Sequence, residues 1–249
     1  MIVSRRRLIA GMGAGLTLGG CQKILETGPV DAFATSLDRF TMEAQRLVVP
    51  RTAMAREYSL AERSPVFRAN GSRTVDTPDY RRHLAEGFAN WRLTVTGLVD
   101  NPMSWQLSML QQMLPARTQV TRHDCVEGWS AIGEWTGTPL KLILDFSRVS
   151  SAARYVVFEC ADLYRGTPYY ESIDLIDARH PQTILAYLMN GETLPVPHGA
   201  PLRLRIERQL GYKHAKYIKR IEAVESFAHI GGGKGGYWED RGYEWYAGI

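Results

Sequence analysis

The stretch Thr121-Arg122-His123-Asp124-Cys125-Val126-Glu127-Gly128-Trp129-Ser130 holds the chemistry from which the rest of the chain is best understood. Gln119–His123 has strand character and ends just before Cys125, while Gly128 and Gly133 admit tight loop geometry. A cysteine at a strand end, with Arg122 and His123 beside it, is a candidate low-pKa thiolate. Such a thiolate serves as a nucleophile or as a soft metal ligand. No C-x-x-C pair, zinc-spaced His/Cys cluster, G-x-S-x-G elbow or Walker loop accompanies it. The other cysteines are Cys21 and Cys160. The competing reading is a cofactor-free exported binding lipoprotein with a Cys125–Cys160 disulfide.

Around this stretch, short strands and helices alternate. Trp91, Leu93 and Val95 predict a strand that turns at Asp100-Asn101-Pro102, followed by a short helix over Leu107–Met113. Thr138-Pro139 reads as an N-cap with Pro at the first helical position, opening a helix over Leu140–Phe146. Arg154–Glu159 and Glu171–Leu175 read as strands, and Pro181–Met189 as a helix closed by Asn190-Gly191. Leu202, Leu204 and Ile206 alternate with Arg203, Arg205 and Glu207, predicting a strand with one apolar and one charged face. The class is α+β with a mixed sheet.

Upstream, residues 49–90 read as an irregular lead-in broken by Ser64-Pro65 and Thr77-Pro78. Before it, Phe33, Leu37, Phe40, Ala44 and Leu47 fall at helical spacing from Asp31 to Val48. Arg5, Arg6 and Arg7 precede the weakly apolar run Ala10–Gly20, a pattern like a twin-arginine export signal. Leu18-Gly19-Gly20-Cys21 also resembles a lipoprotein cleavage box, so lipidation at Cys21 and a simple leader or anchor both stay open. The expected organisation is a signal over 1–20, a helix and linker over 21–64, and one domain over 65–249. The chain has 30 basic and 26 acidic residues; without the three leader arginines the body is nearly neutral. That balance argues against a protein built to coat nucleic acid, while the basic strand around Arg203–Arg220 leaves a nucleic-acid binder as a second rival.

Two later segments invite interpretation. Arg203, Arg205, Arg208, Lys213, His214, Lys216, Lys219 and Arg220 form either a solvated charged strand or a phosphate cradle. Ile230-Gly231-Gly232-Gly233-Lys234-Gly235-Gly236 lacks the spacing of a nucleotide loop. The aromatic residues beyond it, Tyr237, Trp238, Tyr243, Trp245 and Tyr246, are expected to pack an arm over the domain.

Together with Trp135-Thr136-Gly137-Thr138-Pro139-Leu140, the Cys125 stretch resembles the core of the sulfite oxidase family of molybdopterin-dependent oxidoreductases. Within it, the likeness is to the bacterial exported branch of methionine sulfoxide reductase catalytic subunits. It continues through Tyr170–Leu175, His180-Pro181-Gln182-Thr183, His198–Arg203 and Gly211–Lys216. The resemblance implies molybdenum held by the Cys125 thiolate and by the dithiolene of one molybdopterin. It implies that His198 (Asn in many relatives), Arg203, His214, Ala215 and Lys216 surround the pterin, with Asn70 and Gly71 as an upstream contact. Cys160 lines the cofactor pocket or merely packs, and Tyr169 and Tyr170 face the substrate. The implied activity is two-electron oxo transfer on a small substrate, as sulfite-like oxidation or as reduction of a sulfoxide or other S- or N-oxide. A haem or quinone-linked membrane partner would carry the electrons to or from a monomeric, periplasmic minimal catalytic module.

Overall fold

A computed structural model of the chain describes residues 40–249. The leader, Cys21 and the first part of the helix expected from Asp31 lie outside the described residues. The chain divides into two compact units, residues 1–48 and 49–249. In the first, residues 40–48 are helical, with Phe40, Leu47 and Val48 exposed.

The second unit is built on two sheets. One runs in the order β2 (Met103–Gln106), β1 (Arg92–Gly97), β10 (Ile218–Val224), β5 (Tyr155–Tyr164), β6 (Thr167–Asp174). Its β1–β10 pair is parallel and its other pairs antiparallel, making it a mixed sheet. The other runs β3 (Arg117–Asp124), β4 (Ser130–Pro139), β7 (Ile184–Met189), β8 (Glu192–Thr193), with β9 (Arg203–Arg205) also pairing with β7. The helices are short: α1 (Pro78–Ala85), α2 (Leu107–Gln112), α3 (Leu140–Phe146) and α4 (Leu175–Ala178). In α3, Leu140, Ile143 and Leu144 fall on one face and are fully buried. Burial of each contributes roughly 1.5–3 kcal/mol. They share one core with Leu93 and Val95 of β1, Phe158 of β5, Leu185 of β7 and Ile221 of β10. Both sheets therefore feed the same interior.

Several expectations are corrected. Pro181–Met189 is not a helix, because Ile184–Met189 form β7 between β4 and β8. Nearly every β7 side chain is buried, so its sequence carries no alternation to betray a strand. Asn190 (φ 54°) and Gly191 (φ 82°) form the two-residue hairpin turn into β8, a role for which Asn-Gly is the preferred pair. Thr138 does not cap α3. It lies in β4, and its Oγ1 donates to the Leu110 carbonyl at 2.9 Å. Thr77-Pro78, read as a breaker, starts α1: the Thr77 hydroxyl accepts from the Tyr80 amide and Pro78 occupies the first turn. The charged side of β9 is not solvated, since Arg203 and Arg205 are both fully buried.

Candidate functional site

Cys125 opens the five-residue connection between β3 and β4, whose last register pair is Asp124 with Ser130. The Cys125 amide donates to the Trp129 carbonyl (2.9 Å) and the Gly128 amide returns to the Cys125 carbonyl (3.0 Å). The reversal places Gly128 at φ 84°, where a side chain is strained. These bonds hold the buried thiol against a cleft of about 660 Å³, part of it open to solvent. The cleft walls come from Asn70–Ser72, the Cys125 turn, Asp162 and Tyr164 of β5, Tyr169 of β6, the 211–216 segment, and Trp238 and Tyr243 of the C-terminal arm.

The thiol is not the low-pKa group expected from its neighbours. Burial pushes it up and the Glu127 carboxylate adds to this, while the Glu127 backbone amide and the Arg203 charge oppose it only in part. Arg122 is turned to Asp124 at 2.9 Å. His123 is buried and held neutral, first by loss of solvent and then by His214 and the nearby arginines. Its Nδ1 faces Arg205 at 3.0 Å and its Nε2 has no partner. Gly211 lies against that ring so closely that a Cβ there would stand 2.5 Å from Nε2.

The basic run separates into two kinds of cation. Arg205 is paired with Glu207, and Lys213 with both Glu171 and Glu239, all of them buried. Arg203 and Lys216 have no carboxylate within ion-pair distance among the described residues. Arg203 donates to the His198 carbonyl at 3.2 Å and lies over the Trp135 ring at 5.0 Å. Lys216 donates to the carbonyls of Asn70 (2.7 Å), Pro197 (3.0 Å) and Ser72. Burial lowers Arg203 to about 9 and Lys216 to about 7, and with the two cations it lowers His198 to about 4. Unpaired buried charge costs several kcal/mol, so these two cations are built to meet an anion. Arg203 Nε, His198 Nδ1 and His214 Nδ1 are buried and partnerless. Gly199 (φ 111°) keeps the 198–200 turn tight against them, since a Cβ there would stand 2.9 Å from Lys216.

The cleft gathers Asn70, Gly71, Cys125, Tyr169, His214 and Lys216. Arg203 and His198 do not line it. Ala215 is fully buried, with its carbonyl taken by the Leu204 amide at 2.8 Å. Cys160 and Tyr170 are not brought to the cleft. They line a second, larger hollow of about 1310 Å³, much of it open to solvent, which shares only Tyr169 with the first. Tyr169 and Tyr170 are successive on β6 and so project to opposite faces. The Tyr170 hydroxyl bonds to Asp240 (2.7 Å) and the Tyr169 hydroxyl donates to the Tyr212 carbonyl (3.0 Å). Both body cysteines are free thiols, which removes the disulfide alternative.

The glycine segment likewise holds no nucleotide loop: the Gly232 and Lys234 amides donate to the Asp240 carboxylate at 2.8 and 3.1 Å. The arm beyond it packs as expected, with Tyr237 stacked on Tyr169 and Trp238 on Tyr243. Sequence reasoning missed Ser72, Asp162, Tyr164 and the arm as cleft walls; Glu127 lay unremarked inside the quoted stretch.

The residues present fit an anionic, phosphate-bearing group beside a soft metal ligand. Among the described residues no cluster of three His, Cys, Asp or Glu side chains could hold a metal unaided. A metal at Cys125 therefore needs ligands from a cofactor.

Residues 80–229 match the model of the oxidoreductase molybdopterin binding domain family. The chain is 46% identical over 160 residues to a putative protein-methionine-sulfoxide reductase subunit YedZ1 of Azospira oryzae, covering 64% of this chain and 56% of that protein. It is 34% identical over 145 residues to the protein-methionine-sulfoxide reductase catalytic subunit MsrP of Ralstonia nicotianae, covering 54% and 44%. It thus spans about half the length of these relatives. The crystal structure of the sulfane dehydrogenase SoxCD from Paracoccus pantotrophus shares the fold, with a TM-score of 0.51 and 22% identity over 55% of this chain and 39% of that one.

Proposed function

This chain belongs to the oxidoreductase molybdopterin binding domain family, and on that premise we propose that it performs two-electron oxo transfer on a small substrate at a molybdenum centre held by Cys125. The observation that carries this is a buried thiol that feels the charge of Arg203 and lines one cleft with Lys216, two buried cations with no carboxylate partner among the described residues. The direction we favour is reduction of a sulfoxide, the activity for which both relatives are named.

Molybdenum with its dithiolene supplies the two-electron redox chemistry when bound. Cys125 supplies the one protein ligand, and its thiol must give up its proton to do so. Arg203 and Lys216 answer the cofactor's phosphate, helped by the free nitrogens of His198 and His214. Trp238, Tyr243 and Tyr164 wall the approach to Cys125, narrowing it and shedding water. Electrons come from a separate carrier, haem or quinone-linked and membrane-bound; both relatives are named as subunits, which supports a partner protein. The basic run is largely buried and offers no footprint to nucleic acid.

The test is metal and pterin analysis of the purified chain, with turnover measured on sulfoxides and on sulfite. About one molybdenum and one pterin per chain are expected, with the faster turnover on sulfoxide. Protein purified without either, from cells able to make the cofactor, overturns the reading. Arg203→Ala and Lys216→Ala should each lower occupancy while leaving activity per bound metal near normal, since a charge-assisted phosphate contact contributes about 1.5–3 kcal/mol. Full occupancy with lost turnover would move these residues to the substrate.

We further propose that the chain reaches the periplasm folded and loaded, through its paired arginines. Replacing Arg5 and Arg6 with Lys should leave active enzyme in the cytoplasm. Unchanged export of that variant would argue against the route.

A further inference from the structure

We propose that Glu171 keeps its proton in the folded chain and donates it to Glu239, so that a shared proton latches the C-terminal arm onto β6 beside the cleft. The proposal does not depend on what the cleft binds. Glu171 lies in β6 and Glu239 in the arm, and both meet Lys213 with essentially no solvent around the three. The Lys213 ammonium donates to Oε1 of each carboxyl group at 2.5 Å. The Oε2 of each is buried without a partner, and the two carboxyl groups lie within hydrogen-bonding reach of one another. Two carboxylates around one ammonium leave a net negative charge in the interior and two acceptors that meet no donor. Both faults are costly. One proton removes both, because it neutralises the cluster and turns one free oxygen into a donor for the other.

The neighbouring donors are committed elsewhere. The Ser172 amide already donates to Glu171 Oε1 at 2.8 Å, and the Ser172 hydroxyl to the Gly235 carbonyl at 2.5 Å. The Trp245 indole donates to Ser172 Oγ, the Tyr169 hydroxyl to the Tyr212 carbonyl and the Tyr212 hydroxyl to the Glu244 carbonyl. Glu239 and Lys213 are the charged groups facing Glu171, with Tyr169, Tyr212 and Cys160 around them. Burial holds those last three neutral, which leaves the carboxyl pair as the place where the proton resides. The arm's own backbone closes over the pair: a Cβ at Gly236 would stand 2.1 Å from Glu239 Oε2 and 2.8 Å from Glu171 Oε1. Trp238 precedes Glu239, Tyr212 and His214 flank Lys213, and all three line the cleft. Releasing the arm at Glu239 would therefore loosen the cleft wall. It would also return Glu171 to solvent and to its ordinary pKa. Above that range the closed form holds one proton more than the open form. Closure is then strongest below the ordinary value and weakens by about tenfold per pH unit until the raised value is passed.

The experiment follows amide hydrogen exchange of the arm, residues 234–245, from pH 5 to pH 8 in full-length wild type and Glu171→Gln, with β7 marking global opening. Glutamine has the shape of the protonated carboxyl group and carries its donor at every pH. In wild type the protection factors of the arm should lie below those of β7 and fall by about tenfold per pH unit. In Glu171→Gln they should stay constant and be the higher of the two at pH 8. Protection that is flat with pH in wild type, or that falls equally in Glu171→Gln, overturns the proposal, since Lys213 would then hold two ionised carboxylates by itself. Arm protection equal to that of β7 at every pH overturns the latch, because the arm would open only with the whole chain. Infrared spectroscopy gives an independent reading: at pH 7 a buried protonated-carboxyl band should persist in Asp162→Asn, which removes the other carboxyl group that burial raises. No such band in Asp162→Asn overturns the proposal whether or not Glu171→Gln folds.

Discussion

Cys125→Ser is expected to fold normally, to lose turnover to background, and to lose the visible thiolate-to-metal absorption that changes on reduction. The substitution is nearly isosteric, and its backbone bonds to Trp129 and Gly128 do not involve the side chain. What changes is the donor, from a soft sulfur to a harder oxygen. Burial already holds the Cys125 thiol in its protonated form, with Arg203 the main nearby charge favouring ionisation. A serine hydroxyl, far less acidic, would give up its proton still less readily. Metal can stay in the variant through the cofactor, so metal content and electronic absorption should separate. Cys160→Ser is the control: that thiol lies in the other cavity and its replacement should have a smaller effect on both readouts. The assignment fails if Cys125→Ser keeps the band and the turnover, or if the two serine variants lose activity alike.

The sequence was most legible where burial alternates along one strand. Leu93 and Val95 of β1 are buried between more exposed neighbours, and a period of two is what such a strand shows. β4 hid itself differently: its inward positions include Gly133 and Gly137, which carry no hydrophobic signal. Gly137 is required there, since a Cβ would meet the Leu185 carbonyl of β7 at 2.2 Å. β7 was obscured by burial on both faces, although its Asn190-Gly191 turn was a hairpin signal in plain view. At the site, Cys125 and the basic run were visible as motifs, but which cations lacked a counter-ion was not. That sorting depends on Glu171 and Glu239, which only the folded chain brings to Lys213, and on Glu207, two residues along from Arg205, pairing with Arg205 and not with Arg203. Tyr170 was misplaced for want of the strand's parity. Asp162 and the arm were invisible as cleft walls because strand pairing and chain packing put them there, and neither leaves a local pattern.

The largest loss of stability is expected from Lys213→Met. Lys213 bridges Glu171 of β6 and Glu239 of the arm, all three are essentially without solvent, and the ammonium lies 5.4 Å from the Trp245 ring. Removing it strands two carboxylates in the interior, a change that typically costs about 3–5 kcal/mol. The response to pH identifies the cause. Burial, then Glu239, holds Glu171 well above the usual carboxylate range, with Lys213 pulling the other way. Lys213 itself is drawn down by burial but held above its ordinary value by the two carboxylates. A group whose pKa is raised by folding stabilises the chain fully below its unfolded value, and that stability is lost as pH rises through the folded one. For Glu171 the loss begins just above the ordinary carboxylate range, and without Lys213 nothing opposes it. The Lys213→Met deficit should therefore be largest near pH 8 and shrink toward pH 5, where Glu171 can take up a proton. Adding Glu239→Gln should recover part of the loss at pH 8 by removing one stranded charge. Because Tyr212 and His214 flank Lys213 and line the cleft, cofactor content should fall along with stability. Denaturant melts of the three proteins at pH 5 and pH 8 check this. A deficit independent of pH, with no recovery in the double variant, would mean that Lys213 acts through packing and not as the counter-ion of the pair.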